Sequence, residues 1–497
     1  MDKTRLILDP AHTIAPVDPR IFGGFLEHLG RAIYEGVYDP RASSADENGF
    51  RKDVMAALRK LNMTAMRYPG GNFASGYHWM DGVGPKDQRP TVRELAWQSI
   101  EPNQFGTDSF IQLSRLMGWT PMITVNLGTG TPEEARNWVE YCNSPAGTKY
   151  ADLRAENGSP APYGVKLWCL GNEMDGPWQL GHIPAEQYAI LAQQTARMMK
   201  DIDPSIETVA CGSSTMRGAS YLDWDRTVLE CIGPYADYVS LHRYIDNLRD
   251  DTADYLASTN SIDRRIEHME SVCRIVQAKT RSKKRHHLCF DEWNVWYRTT
   301  GPEDSNGRGK FAPPLLEEHY NLEDALVVAG FLNSFIRHAD SVKIANLAQI
   351  VNVIAPVLVQ GDQLLLQSIY YPFAMFSSRR EGTAIQPVVS GPSYDSPTYG
   401  SVHYIDASAI MGDGVVHVFL MNRHLSDQAE VEMDLARLRI KSIVSAEGVY
   451  GYGPKEGNTF ENPDKITTKA LQSVTISDGK ALVHLPPLSI SAITFSV

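Results

Sequence analysis

The sequence predicts an α/β fold, a (β/α)8 barrel followed by an all-β, jelly-roll-like sandwich, and three observations carry this expectation. From Ile21 to about Ala348, short apolar runs alternate with amphipathic helical segments, the pattern of a parallel sheet covered by helices. Eight such runs occur, each ending in polar or glycine-rich sequence, and eight strands with eight helical connections fit a closed barrel. After Gly382 helical periodicity stops, and alternating segments separated by Gly, Pro, Asp and Asn turns take over. A chain of 497 residues holds both parts. The expected division is 16–384 for the barrel and 385–497 for the sandwich, with a strand in 1–15 joining the two.

The eight strand candidates are 21–28, 64–71, 121–128, 165–173, 208–214, 238–244, 287–293 and 342–349. Between them, Arg51 to Leu61 puts Val54, Leu58 and Leu61 on one helical face. Thr107 is a cap candidate for the run through Met117, which Gly118 can end. Thr131-Pro132-Glu133-Glu134 reads as a capping box with proline at the first helical position, and Pro184 opens a helix to Lys200. Asn321 with Asp324 starts a long apolar helix through Phe335, although Asp is a weaker box partner than Glu. An open nucleotide-binding sheet is the competing fold, but Gly128-Thr129-Gly130 lacks a third glycine at the required spacing and reads as a tight turn. In the sandwich, Gly412-Asp413-Gly414 divides two strands, and the apolar phase slips between Ala492 and Ile493, which predicts a bulge there. There are no internal repeats and no low-complexity tract.

A net charge of −12 argues against nucleic acid or an anionic membrane as partner and suits a neutral substrate. The start, MDKTRLILDPAH, has no apolar stretch long enough for a signal peptide, so cytoplasmic residence is expected. Cys142, Cys169, Cys211, Cys231, Cys273 and Cys289 show no ligand spacing and read as reduced packing residues. Asn157-Gly158-Ser159 fits a glycosylation sequon but means little without a secretion signal.

Chemistry concentrates at two strand exits. The fourth run, VKLWCLGNE, ends on Asn172 and Glu173; the seventh, HLCFDEW, carries Asp291 and Glu292 at its end, just before Trp293. In a closed barrel these ends face each other across the mouth, so Glu173 and Glu292 converge on one cavity. Paired carboxylates beside tryptophans suit glycoside cleavage: one protonates the departing oxygen, and the other attacks the anomeric carbon or activates water. His28 and His242 also fall at strand ends, but neither has a second ligand at metal-site spacing, so hydrogen-bonding support is expected of both. Gly212-Ser213-Ser214 lacks the closing glycine of a serine-hydrolase elbow.

Five further motifs sharpen this: FGGFLEHLGRAIYEGVYDP from Phe22, RYPGGNFASGYHW from Arg67, NLGTGTPEEARNWVEYCN from Asn126, WCLGNEMDGPWQLGH from Trp168 and SLHRY from Ser240. Together, along the first to the eighth strand, the chain closely resembles the family 51 α-L-arabinofuranosidases, retaining barrel glycosidases with an acid/base on strand four and a nucleophile on strand seven. The resemblance implies an exo-acting, cofactor-free and metal-free enzyme that releases terminal arabinofuranose from arabinan- or arabinoxylan-derived oligosaccharides, and a homohexamer. It implies Glu173 as acid/base, its pKa raised by burial and by Glu292, and Glu292 as nucleophile. Asn172 would bind the sugar 2-hydroxyl; Glu27, Arg67 and Asn72 would hold the ring; Tyr244 would hold the nucleophile's oxygen. Gln349 would contact the sugar, while Trp97 and Trp296 would line the leaving-group side. Competing functions are another retaining barrel glycosidase, such as a β-xylosidase or endoglucanase, and a non-catalytic carbohydrate-binding protein. Left open is the loop Met174 to Gln179, whose Trp178 either shapes the substrate site or packs beneath it.

Overall fold

The structure, a computed structural model, describes residues 3–298 and 307–497. Eight parallel strands close into a barrel in chain order. They are β1 (Gly23–Phe25), β2 (Ala65–Tyr68), β3 (Thr120–Val125), β4 (Leu167–Leu170), β5 (Glu207–Ala210), β6 (Tyr238–Ile245), β7 (His287–Val295) and β8 (Val342–Ala348). Every expected run overlaps one of them, with ends that differ by a residue or more in most.

Residues alternate along each strand between the barrel interior and the surrounding helices. Met122, Leu167, Cys169, Val209, Cys289 and Ile344 form one interior cluster, whereas Ile123, Trp168, Leu170, Leu288 and Phe290 join the larger core under the helices. At the end of β7 this alternation breaks to useful effect. Ser240 and His242 of β6 pair with Cys289 and Glu292, and Ala345 and Leu347 of β8 pair with Phe290 and Trp293, so β7 carries one extra residue against both neighbours. This bulge turns the consecutive Asp291 and Glu292 both toward the interior and returns Trp293 to the outer core against Phe331 and Phe335.

The helix signals are mostly reproduced. Val54 and Leu58 of Lys52–Lys60 and the following Leu61 are buried, and Gly118 ends Thr107–Met117 in the left-handed region at φ 73°. Thr107 does not cap that helix: it is the first helical residue, and its hydroxyl accepts from the Trp138 indole at 3.1 Å. Thr131 caps Pro132–Asn143 through the Glu134 N–H, but the Glu134 side chain turns to His78 at 3.0 Å, so the box is half made. The Asn321–Asp324 box is complete, with both reciprocal bonds present.

The C-terminal region stacks two sheets. One runs Val388–Ser390, Thr4–Ile7, Ala429–Asp434, Lys480–Leu485, Val474–Ser477; the other runs Thr13–Pro16, Thr383–Ile385, Ile405–Met411, Val415–Asn422, Ser489–Ser496, Ser442–Val449, Lys469–Ala470. Leu6, Val431 and Val483 meet Val416, Val418 and Phe495 in a shared core. The N-terminal stretch thus supplies two strands, one to each sheet. The bulge expected at Ala492–Ile493 is absent there and lies on the partner strand, between Ile443 and Ser445. What reads as a phase slip is burial on both faces: Ile490 and Ala492 join the barrel core, and Ile493 and Phe495 join the sandwich core.

Helix Leu322–Arg337 is apolar along its length because it is enclosed between β7 and this second sheet. Its polar residues make the junction: Asn333 donates to Asp406 at 3.0 Å and accepts from Ser408 at 2.6 Å, and Arg337 reaches Asp406 and Asp263, each at 2.9 Å. Asp406→Ala leaves a buried guanidinium and amide short of a partner and is expected to cost about 3 kcal/mol or more, read as a fall in the urea midpoint; a midpoint unchanged from the parent contradicts this account of the junction.

Candidate active site

The site is built from the carboxyl ends of the strands. Gly171 at φ 83° turns the chain out of β4, and Glu173 itself sits in the left-handed region at φ 44°, a strained position for a residue with a β-carbon. That turn aims Glu173 back across the mouth. Glu173, His242 and Glu292 each present a polar atom within 4.8 Å of the other two. The two glutamate carboxylates therefore lie close together, as strands four and seven predict.

Each carboxylate has its own cation. Arg67, at the end of β2 and fully buried, donates to Glu292 Oε1 at 2.6 Å and to Asn172 Oδ1 at 2.7 Å, and lies 3.4 Å from Asp291. The Tyr244 hydroxyl donates to Glu292 Oε2 at 2.9 Å. His242 Nδ1 donates to Glu173 Oε1 at 2.8 Å, and its Nε2 lies 3.3 Å from Asp291. Ser240 also donates to Asp291, which stands behind the pair and neutralises both cations. The indole of Trp178 donates to Glu173 Oε2.

The backbone makes room for this cluster at Gly70 and Gly71. A β-carbon on Gly70 would fall 2.6 Å from Glu27 Cγ, and one on Gly71 would fall 2.6 Å from Glu292 Oε1. The paired glycines of RYPGG are thus spaces for two carboxylates.

The remaining residues expected from sequence are linked to this cluster by direct contacts. Glu27 Oε1 accepts from Phe73 N–H at 2.9 Å and from the Trp97 indole at 3.2 Å, and the Gln349 amide lies 3.3 Å from Glu27 Oε2. Asn172 reaches Asn72 Oδ1 at 3.4 Å. Trp97 rides a small hairpin of Val92–Arg93 and Ile100–Glu101, and Glu101 bonds His28 Nδ1 at 2.9 Å while His28 Nε2 meets the Tyr68 hydroxyl at 3.0 Å. His28 is therefore a tie between β1 and that hairpin. Trp296 packs edge-on against Tyr244, ring centres 5.3 Å apart.

Electrostatics departs from the expectation at one residue. Burial pushes Glu173 up, but the hydrogen bond and charge of His242 and the Trp178 indole outweigh it and hold Glu173 below its ordinary value. Burial opposes the charge on His242, yet Glu292 and Asp291 push it up to about 10. His242 is then an imidazolium at neutral pH, and the Glu173–His242–Glu292 trio is suited to holding protons. Burial likewise raises Glu27 to about 8, so near neutrality it is a protonated acid able to donate a hydrogen bond. Sequence reasoning missed Asp291 as the counterion of both cations, Gln179, which receives Asn172 at 3.2 Å, and the space-making role of Gly70 and Gly71. The DEW motif holds a signal for Asp291, since two successive acids at a strand end reach one cavity only through a bulge.

The barrel with its paired carboxylates defines a glycoside hydrolase. Residues 57–261 match the family model described as Alpha-L-arabinofuranosidase 1 domain, and residues 291–489 match that of the Alpha-L-arabinofuranosidase C-terminal domain. The chain is 42% identical over 492 residues to the intracellular exo-α-(1→5)-L-arabinofuranosidase 1 of Bacillus subtilis (strain 168), covering 98% of each chain. It is 45% identical over 496 residues to the intracellular exo-α-(1→5)-L-arabinofuranosidase of Halalkalibacterium halodurans, covering 97% of each. A solved family 51 α-L-arabinofuranosidase from Bifidobacterium longum superposes with a TM-score of 0.95 at 35% identity over 100% of both chains. The chain belongs to the family 51 α-L-arabinofuranosidases.

Gly71→Ala drives a methyl group into Glu292 Oε1 and away from Arg67. A displacement of this order is expected to lower kcat/KM by on the order of 10² with the fold retained by circular dichroism; parental kinetics would contradict the close fit.

Proposed function

We propose that this chain is a retaining, exo-acting α-L-arabinofuranosidase that releases terminal non-reducing α-L-arabinofuranosyl residues from arabinan- or arabinoxylan-derived oligosaccharides by double displacement. The observation that carries this is the approach of Glu173 and Glu292 to within 4.8 Å. Retaining enzymes hold their carboxyl groups about 5–5.5 Å apart, whereas inverting ones need roughly 6.5–9.5 Å to admit a water.

Glu292 is the nucleophile. Arg67 and Tyr244 fix both its oxygens and orient the carboxylate toward the anomeric carbon. As the Glu292–carbon bond forms, the glycosidic bond breaks and Glu173 delivers its proton to the departing oxygen. In the second step Glu173 takes a proton from water, that oxygen attacks the same carbon, and the ester to Glu292 is released. Esterification removes the negative charge of Glu292, so Glu173 is more readily ionised when it must act as base. Asn172, oriented by Arg67 and Gln179, is set to bind the 2-hydroxyl, a contact that tightens in the transition state.

Glu27, Arg67, Asn72 and Gln349 hold the furanose ring, and Trp97 and Trp296 flank the leaving-group side. Deep burial of Glu27, Arg67, Asn172 and Gln349 suits a chain end, which can enter a closed cavity, better than the middle of a polymer. The chemistry uses side chains alone and calls for no cofactor. The names of the Bacillus and Halalkalibacterium relatives, both intracellular exo enzymes, support exo action and a cytoplasmic place; among the described residues no helix is long and apolar enough to cross a membrane. Family resemblance alone supports a homohexamer, and a monomeric mass by light scattering would refute it.

Two variants separate the roles of the carboxylates. Glu292→Ala is expected to lose turnover by about 10⁴-fold or more. Glu173→Ala is expected to lose about 10²–10⁴-fold with poor leaving groups, to keep its first step with activated aryl arabinofuranosides, and to recover turnover with azide as the α-configured glycosyl azide. A β-configured azide, or no rescue, contradicts the assignment of Glu173.

A further inference from the structure

The loop after β4 is anchored on both sides of Trp178. Met174 O receives His182 Nδ1 at 3.0 Å, and Asp175 Oδ2 receives the Ser214 N–H and hydroxyl, each at 2.9 Å. Gln179 is buried, donating to Ser75 at 2.6 Å, and Gly181 lies directly on Gly128. Trp178 itself is 53% exposed. Its indole N–H nevertheless reaches back to Glu173 Oε2, and its ring lies across Gly176, where a β-carbon would fall 2.5 Å from Cε2 and Cζ2. A half-exposed indole with its one polar atom on a catalytic carboxylate is more than packing.

We infer that Trp178 is a positioning residue for proton transfer: its indole N–H holds Glu173 ionised while the leaving-group side is empty, and an arriving aglycone displaces the ring so that Glu173 takes up a proton from solvent. The inference rests on the proposed role of Glu173 as acid/base.

Glu173 Oε1 is tied to the buried, protonated His242, so the proton destined for the leaving oxygen belongs on Oε2, the atom that Trp178 holds. A neutral carboxyl is a weaker acceptor than a carboxylate, and protonation and the indole bond therefore oppose each other. The groups facing Glu173 come from four elements. Arg67 of β2 and His242 of β6 favour its charge; the like charges of Glu292 of β7 and of Asp175 in its own loop disfavour it, Asp291 of β7 lies behind His242, and Tyr244 of β6 points at Glu292. Arg67, His242, Asp291 and Glu292 are buried, whereas Trp178 lies at the surface where a substrate can move it. Substrate occupancy thereby becomes a change in the protonation of Glu173. After the aglycone leaves, the returning indole favours the carboxylate that the second step needs.

The test is the pH dependence of kcat/KM on an aryl α-L-arabinofuranoside. Trp178→Phe keeps a flat apolar ring and removes the donor; Gly176→Ala keeps the indole and pushes it from its seat. In both, the alkaline limb is expected to move up, by about one pH unit in Trp178→Phe, with the acid limb unmoved. An alkaline limb that stays in place in both variants, with or without a rise in KM, overturns the inference and leaves Trp178 as a platform. Glu173→Gln is run alongside. A limb that survives in that variant overturns the reading of Glu173 itself, and the inference with it.

Discussion

Arg67 and His242 are the two cations on which the site depends. Glu173, Asp291 and Glu292 converge at the barrel mouth, the last two buried and Glu173 partly so, and carboxylates this close cannot be withdrawn from water without compensation. Arg67 takes Glu292 with Asp291 behind it, and His242 takes Glu173 with the same Asp291 behind it. Glu173 and Glu292 are thus held close without one being forced to neutralise the other. Removing either cation would leave an uncompensated buried charge, so the same interactions that organise the chemistry also hold the barrel mouth together.

Around this core the fold distributes distinct tasks. The β7 bulge delivers Asp291 and Glu292 to one side of the strand, and the strained turn after β4 brings Glu173 to meet them. Gly70 and Gly71 keep the backbone close enough for Arg67 and Glu27 to share a wall with Glu292. The hairpin that carries Trp97 is tied to the end of β1 through Glu101 and His28, and the Trp97 indole itself donates to Glu27. The sandwich stands behind β7, where helix Leu322–Arg337 transmits its support through Asn333, Arg337 and Asp406.

Much of this was legible in the residues. All eight barrel strands announce themselves as short apolar runs with polar ends, because strands buried on both faces need little alternation and their exits carry the site. Glu173 and Glu292 stood out for the same reason: a glutamate just past such a run faces a cavity. Less legible were features set by contacts distant in sequence. The segment Ser489–Ser496 reads as a slipped strand if only one face is buried, yet it serves two cores. Thr107 had the chemistry of a cap but was claimed by Trp138. Glu173 was expected to be raised by burial and by Glu292, and the outcome turned on His242 and Trp178, whose donors reach it only in the folded chain. Gly70 and Gly71 read only as the glycine-rich end of a strand run, because the carboxylates they accommodate come from the exit of β1 and from β7.

Glu173 and Glu292, held within 4.8 Å, are proposed to work by double displacement. Its most direct test is the anomeric configuration of the first arabinose released, followed by proton NMR within the first minutes of hydrolysis of an aryl α-L-arabinofuranoside. The account predicts that α-L-arabinofuranose appears first and the β anomer only later, as mutarotation proceeds. The β anomer appearing first would mean direct attack by water and would contradict the carboxylate pair as described.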